Sequence, residues 1–574
     1  LLLSGKTYIV IRVATVIDNH PRTGQRRIPI WEHRWGAWID RHPGAIASLT
    51  LLVGFVSRIR AASGTFLNAD EAQHFLVANR PSLALAYKSS LTLAHPPLLI
   101  IVLYFWRNLG TSEFVLRMLS VLVGTLFCWV FFKWVSRILG QQVGLTALIF
   151  VSLLPPLVSL SAQIRQYSLL LVFASSTLYF LDQSLSENSV QGMVLCCISM
   201  YLALLSHFSA VFFAAAVGVY ALLQILTRHP RAKIIWTWAL GQVGALGVFV
   251  FLYRTQISKL KGSSMNAEAT EGWLRRSYFH RGDDHVLLFV GGRAFAVFQF
   301  IFGHLAIGDL MGVVFILAIV WLIRDNTKIL PGETRPASRQ IAVLFTLPYV
   351  LNCSAALVGA YPFGGTRHSV FLAIFALAGI GFALVRMFKR RTARILLMAF
   401  LTAFLCSASG KSHEPSMSPS DQSSAHMKDS IGFIEKHVRV TDPIFLDVQS
   451  RFILGYYLCP DQQDLAESPH QDFDLLNCGG RRFITANLWK FAPEAFLGYW
   501  NRMLSSYRLP PGQNVWVIQE GWSVGTGAKL KLASPQYQNL KIESFGHNIQ
   551  IFELTVGQSQ EASVPTPAES LRPE

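Results

Sequence analysis

The run Phe114-Val115-Leu116-Arg117-Met118-Leu119-Ser120-Val121-Leu122-Val123-Gly124-Thr125-Leu126-Phe127-Cys128-Trp129-Val130-Phe131-Phe132 decides the fold class. Extended to Arg137, it exceeds the roughly 20 residues that a helix needs to cross a bilayer. Blocks of the same kind recur on both sides, at 43–60, 141–160, 165–182, 191–206, 208–226, 233–253, 306–323, 340–360, 366–387 and 393–408. Several are short, so their ends are not sharply marked. Two further stretches, 94–106 and 284–305, are ambiguous. The first is short and opens on His95-Pro96-Pro97, and the second contains Gly291-Gly292-Arg293; each can lie in the interface instead of crossing it. Of the 574 residues 52% are hydrophobic and 14% charged, where a soluble chain carries about 25% charged residues. The expected architecture is an α-helical polytopic membrane protein of about 11 to 13 spans.

The net charge of +17 would point to nucleic acid in a soluble chain. Here Lys and Arg cluster in short connections between apolar blocks, where they set orientation, and nucleic acid is not an expected partner. With the N-terminus cytoplasmic and neither ambiguous stretch crossing, Lys133/Arg137, Arg228/Arg231/Lys233, Arg324 to Arg339 and Lys389-Arg390-Arg391 all fall inside. Counting 94–106 as a span inverts every later loop. Counting both stretches still moves the first two basic loops outside. The simpler topology, about eleven spans, leaves residues 410–574 on the outer side. It also gathers Asp70, Glu71, His74, His95, Arg165, His207, Arg275, Arg276 and His280 on that face, with Arg367 and His368 at its margin. The spans hold almost no acid, Asp182 and Asp309 lying at span ends, which argues against an ion-coupled carrier.

Residues 1–42 read as a cytoplasmic lead-in without a signal-peptide pattern, and 43–409 as the membrane domain. A Ser/Pro/His-rich linker follows at 410–425. Within 426–556, helix-like Asp429–His437 and 488–505 alternate with strand-like runs at 443–448, 482–485, 514–519 and 548–554, as in a small α/β domain. The tail 557–574 has a disordered composition. Cys128, Cys196, Cys197, Cys353 and Cys406 lie in apolar blocks as packing residues. Cys459 and Cys478, in the polar C-terminal region, have a spacing open to a disulfide in an oxidising compartment.

Adjacent carboxylates at a membrane exit are costly to hold near hydrocarbon, which singles out Asp70-Glu71 within Leu67-Asn68-Ala69-Asp70-Glu71-Ala72. Asp70 is the candidate base, with Glu71 to orient it, bind the acceptor or help hold a cation. The bland alternative is that both cap and solubilise a helix start. His74 shares a helical face with Asp70. With His95 it leaves room for a divalent metal, with interfacial polarity as the plain alternative, and no cofactor is firmly implied. His95 can contact phosphate or sugar, while Pro96-Pro97 suit a helix start. Arg165 and Tyr167 lie in the break Ser161-Ala162-Gln163-Ile164-Arg165-Gln166-Tyr167-Ser168. An outer Arg runs against the loop bias and suits a phosphate, or snorkels to head groups. His207 sits at an outer turn, and Arg367-His368 close another, Gly364-Gly365-Thr366-Arg367-His368. The loop 254–283, with Trp273, Tyr278 and several cations, suits lipid phosphate and sugar but equally any membrane interface.

These segments, with His95-Pro96-Pro97-Leu98, Leu116-Arg117-Met118-Leu119-Ser120 and Tyr361-Pro362-Phe363-Gly364-Gly365-Thr366-Arg367-His368, resemble the GT-C membrane glycosyltransferases. Within that class the likeness is to the protein-mannosyltransferase-like and aminoarabinose-transferase-like bacterial enzymes. It covers roughly 43–400 in organisation. It implies a polyprenyl-phosphate sugar donor, inversion at the anomeric carbon, a lipid, glycan or protein acceptor, and residence in the bacterial plasma (inner) membrane with the C-terminal domain outside. It implies a carboxylate of the first outer loop, by position Asp70 with Glu71 beside it, as base or acceptor-binding group. It also implies interfacial helices in that loop, in accord with 94–106. The C-terminal domain varies across the class, so nothing about 410–574 follows from the likeness. The competing expectations are a lipid or polysaccharide transporter or flippase, and a non-catalytic membrane scaffold.

Overall fold

The apolar blocks become a helical bundle, seen in a computed structural model that describes residues 41–260, 264–325, 335–408, 422–459, 472–478, 480–491, 493–522, 524–533 and 539–557. Residues 1–40, most of the linker and the tail beyond 557 lie outside the described residues, as does the side chain of Cys478. The helices are α1 (Pro43–Ala62), α2 (Ala69–Ala78), α3 (Leu83–Ser90), α4 (Leu98–Trp106), α5 (Glu113–Leu139), α6 (Gln141–Leu153), α7 (Pro155–Ser161), α8 (Tyr167–Glu187), α9 (Val190–Ser206), α10 (Ala210–Arg228), α11 (Ala232–Leu252), α12 (Ser264–Glu271), α13 (Val286–Phe302), α14 (Leu305–Arg324), α15 (Ser338–Leu357), α16 (Ala373–Met387) and α17 (Arg391–Ala408). A 3-10 turn, Arg367–Leu372, leads into α16.

Among the described residues eight helices are long and apolar enough to cross a membrane. The segments Leu98–Leu109, Gln141–Leu153, Val190–Ser206 and Val286–Phe302 are shorter apolar helices. The ambiguous stretch 94–106 yields α4, only 9 residues long and too short to cross at 1.5 Å per residue. The other, 284–305, yields α13, which folds back against α14 through Gly303 at φ 64°. Gly308 lets the two backbones touch, since an added Cβ would lie 2.4 Å from the Gln299 Cα, the close approach that small residues allow between membrane helices.

The expected span 141–160 is broken at Leu154-Pro155. Proline cannot donate to the preceding turn, so the carbonyls there need other donors. Arg58 of α1 supplies them: it donates to Ser152 O at 2.8 Å and Val151 O at 3.2 Å, and its Nε donates to the Ser161 hydroxyl at 3.0 Å. The guanidinium is buried, and the backbone groups freed by the kink hold it there.

From Gly44 onward the chain forms one unit. Its C-terminal part contains α18 (Ser424–His437), β1 (Ile444–Leu446), α19 (Val448–Leu458), β2 (Phe473–Cys478), β3 (Arg481–Ala486), α20 (Pro493–Tyr507), β4 (Asn514–Glu520), α21 (Thr526–Ala533), β5 (Ile542–Ser544) and β6 (Ile549–Thr555). The strands form one sheet in the order β2-β3-β1-β4-β6-β5. β1 runs parallel to β3 and β4, and the remaining pairs are antiparallel. β1 and most of β4 are buried on both faces, as a central parallel pair must be. One face packs Phe445, Val515 and Val517 against Phe496, Trp500 and Met503 of α20. The other packs Ile444, Leu446 and Ile518 against Ile434 of α18 and Leu454 of α19. The expected strands and helices at 429–437, 443–448, 482–485, 488–505, 514–519 and 548–554 all have counterparts here. Cys459 is disulfide-bonded.

This domain docks on the first loop. Helix α19 lies against α2, with Tyr456 edge-on to Phe75 at 5.2 Å. The Tyr456 hydroxyl donates to Thr111 O at 2.8 Å. The Tyr457 hydroxyl donates to Glu113 and accepts from Leu67 N.

Candidate active site

Helix α2 starts the way its sequence dictates. Asn68 is extended at φ −71°, ψ 167° and its side chain accepts from Glu71 N, while Glu71 Oε2 accepts from Asn68 N at 3.1 Å. This reciprocal capping box satisfies two otherwise orphan donors. The cap is therefore Asn68 with Glu71, and Asp70 is left free of capping.

Glu71 is fully buried and saturated. Arg117 meets it through Nε and Nη2, each at 2.8 Å, in a bidentate pair. The Ile164 amide donates to Oε1 at 3.0 Å. Burial would raise the Glu71 carboxyl, but the Arg117 guanidinium outweighs it and holds the pKa below its ordinary value. Arg117 also donates to the carbonyls of Ala62, Thr65 and Phe66. The pair thus joins the exit of α1, the start of α2 and the turn before α8. Both oxygens of Glu71 are thus engaged by the surrounding scaffold. From sequence, Glu71 could orient Asp70, bind the acceptor or hold a cation; the geometry favours orientation.

His74 completes the grip on that turn. Its Nδ1 lies 3.0 Å from Ile164 O, so this nitrogen carries the proton. Glu71 takes the Ile164 N–H and His74 the carbonyl, and the next residue is Arg165. Burial, then the nearby Arg165 charge, push the His74 pKa down to about 4, so the ring is neutral near pH 7.

Arg165, itself buried, pairs with Asp70 Oδ2. Arg367 approaches the same oxygen at 3.3 Å. Asp70 keeps 13% of its side-chain surface exposed and faces a cavity of about 2050 Å³. Burial acts to raise its pKa, but Arg165 and then Arg367 prevail and lower it. Arg367 is 5.8 Å from the Trp273 ring centroid. One carboxylate beneath two guanidiniums, at the wall of a large cavity, is a site that an incoming phosphate can contest.

The remaining expected residues join the same network. His95 sits 2.8 Å from Gln166 Nε2, its ring 5.5 Å from His74 and 6.3 Å from His207. His207, bonded to the Ser209 hydroxyl at 2.8 Å, lies 5.4 Å from Tyr167 and 6.2 Å from His368. Burial lowers His95 well below its ordinary pKa and His207 to about 3. His95, Arg165, His207, Arg367 and His368 line the cavity, whereas His74 and Tyr167 stand behind it. No group of three or more His, Cys, Asp or Glu among the described residues is arranged to hold a metal. His74 gives Nδ1 to a carbonyl, and the Asp70 oxygen nearest the cations is already taken.

Arg117, Asn68 and Gln166 enter the sequence reading only as members of quoted motifs, with no role of their own. Arg117 carried a usable signal, since a charge within an apolar run is a functional pointer by default.

Residues 94–253 match the model of the dolichyl-phosphate-mannose-protein mannosyltransferase family. No curated protein matches in sequence. Among solved structures, ArnT from Cupriavidus metallidurans bound to undecaprenyl phosphate superposes with a TM-score of 0.52 at 13% identity, over 89% of this chain and 98% of that one. The Pmt1-Pmt2 protein O-mannosyltransferase complex of S. cerevisiae gives 0.31 at 16% identity, over 37% of this chain and 32% of that one. The archaeal oligosaccharyltransferase AglB from Archaeoglobus fulgidus, in complex with an inhibitory peptide and a dolichol-phosphate, gives 0.46 at 10% identity, over 84% and 70%. The last two are too distant to argue from, while the first shows the fold. The resemblance read from the motifs is borne out: the chain has the GT-C fold of the protein-mannosyltransferase-like and aminoarabinose-transferase-like membrane glycosyltransferases.

Proposed function

We propose that this chain transfers a sugar, with inversion, from a polyprenyl-phosphate donor to a lipid, glycan or protein acceptor at the outer face of the membrane. The observation that carries the reading is the meeting of Arg165 and Arg367 on Asp70 at the cavity wall. The donor phosphate would draw the two guanidiniums to its own oxygens, since doubly bonded Arg–phosphate pairs are strong and specific. That frees Asp70 from its ion pairs and lets its pKa rise toward the range where it accepts a proton.

The acceptor hydroxyl then attacks the anomeric carbon from the face opposite the phosphate. The new C–O bond forms as the C–O bond to phosphate breaks. The hydroxyl proton passes to Asp70, and the bonding pair leaves with the phosphate, whose charge Arg165 and Arg367 stabilise. Phosphate leaves readily, so no second acid is required, unlike glycoside hydrolysis. The outer-face assignment is supported by the basic loops, which fall on the opposite side. The membrane-bound setting and the GT-C fold support lipid-linked sugar transfer in general.

Asp70→Asn tests the reading. Transfer from a polyprenyl-phosphate sugar is expected to stop while the protein remains folded and keeps binding polyprenyl phosphate. Transfer at near wild-type rate would refute it.

A further inference from the structure

The carboxyl edge of the C-terminal sheet opens onto the same cavity as Asp70. Gln449 lies just after β1, Trp489 and Lys490 just after β3, and Trp522 just after β4, and all four line that cavity. The chain leaves β1 toward β3 but returns from β3 past β1 to β4, with α19 and α20 on opposite faces of the sheet. This makes β1 a switch point, the place where open α/β sheets hold ligands.

The edge is built to a defined shape. Val448 N donates to Leu488 O at 3.0 Å and Gln449 N to Trp489 O at 3.2 Å. Trp522 N donates to Gln449 Oε1 at 3.0 Å. Gly521, at φ 119°, lets the chain pass so close that a Cβ would lie 2.7 Å from that oxygen. The Trp489 ring rests near Phe452 at 6.4 Å, on the helix that packs against α2. The Trp522 indole N–H is buried without a hydrogen-bond partner among the described residues. Lys490 interacts electrostatically with Glu268 of the loop helix α12, another cavity-lining residue.

Two indoles with an amide, an ammonium and a carboxylate suit a neutral, polyhydroxylated ligand. A sugar ring offers C–H groups to the electron-rich indole face and hydroxyls to the polar groups around it. An extended peptide would need an open strand edge for backbone pairing, but β3, β1 and β4 are each paired on both sides.

We infer that this wall is an acceptor subsite and that it takes a saccharide, so that the acceptor is a glycan-bearing molecule; the assignment of this saccharide as acceptor rests on the sugar-transfer reading above. The test uses the full chain in nanodiscs on an array of defined bacterial oligosaccharides and, in parallel, on an array of Ser/Thr peptides. Wild type and Asp70→Asn are expected to bind oligosaccharides. The Trp489→Ala/Trp522→Ala pair is expected to weaken binding about tenfold or more, and Trp489→Phe/Trp522→Phe to keep most of it. Exposed Lys490→Met serves as the second variant should the alanine pair misfold, with a loss of about threefold or more. Peptide binding in place of oligosaccharide, no oligosaccharide bound by wild type, or unchanged binding in the folded variants overturns the inference. Retained transfer in Asp70→Asn would instead overturn the assigned base, a result that leaves oligosaccharide binding at this wall standing.

Discussion

Replacing Glu71 by Ala removes the acceptor for Arg117 Nε and Nη2, Ile164 N, and both donors of Asn68. Breaking a buried ion pair by deleting one partner costs about 3–5 kcal/mol, because the other charge stays buried and unmatched. Arg117 keeps the carbonyls of Ala62, Thr65 and Phe66, so the lower end, about 3 kcal/mol, is expected. Arg117→Met should cost a similar amount by stranding the carboxylate. The double variant should cost far less than the sum, with a coupling of about 2 kcal/mol or more. Equilibrium unfolding of the four proteins in one detergent measures this. Transfer assays probe the effect on catalysis. Glu71→Gln should lower kcat by about tenfold to a hundredfold, because its amide nitrogen would face the donors of Arg117 and Asn68 and displace the turn that carries Arg165, while the pH profile of kcat keeps its shape. Additive stabilities, or a changed acidic limb in Glu71→Gln, would refute the positioning role.

Three other outcomes follow from specific contacts. Arg58→Met should destabilise the fold by about 3 kcal/mol, since Val151 O and Ser152 O lose their donors at the Pro155 break; equilibrium unfolding measures it, and a change below about 0.5 kcal/mol would exclude the bracing role. Glu520 and Asp447 are buried acids whose pKa values burial raises, from 4.5 to about 8 and from 3.8 to about 6. Between about pH 4 and their raised values they hold protons in the folded domain that they release on unfolding, so their own contribution to stability is fullest below about pH 4 and falls by a few kcal/mol as pH rises toward about 8; Glu520→Gln should flatten most of that slope in melts taken across pH. Tyr457→Phe deletes the hydroxyl that joins Glu113 to Leu67 N and should loosen the docked C-terminal domain by about 1–2 kcal/mol, read as faster proteolytic release of that domain.

Asp70, His95, Arg165 and Arg367 were legible because each is a polar residue between apolar blocks or at the edge of one, where hydrocarbon makes charge conspicuous. Their convergence was legible too, through the loop charges. The roles of Arg117 and Arg58 were not: a charge inside an apolar run marks the residue, but the partners that define its role are distant in sequence, Glu71 for Arg117 and the carbonyls at 151–152 for Arg58. The division of labour in Asp70-Glu71 was half visible. Adjacent carboxylates look alike in a sequence, and only the helix geometry turns one toward the cavity and the other toward Arg117. The break at Leu154-Pro155 was missed because hydropathy does not register a lost N–H. In the C-terminal domain the central strands declared themselves by continuous apolar runs, Ile444-Phe445-Leu446 and Val515-Trp516-Val517-Ile518. β2, Phe473-Asp474-Leu475-Leu476-Asn477-Cys478, mixes polar residues as an edge strand does, and β5 has only three residues. Helix α19 was missed because its face toward α2 is aromatic and reads as loop or strand in isolation.

The most direct test of the central claim is the affinity for polyprenyl phosphate, measured by titration into Asp70→Asn, Arg165→Gln and wild type in the same nanodiscs. In the proposed mechanism Asp70 competes with phosphate for Arg165 and Arg367. Asp70→Asn should therefore bind polyprenyl phosphate at least as tightly as wild type while transferring no sugar, and Arg165→Gln should bind it about tenfold or more weakly. Weaker binding in Asp70→Asn, or unchanged binding in Arg165→Gln, would contradict it.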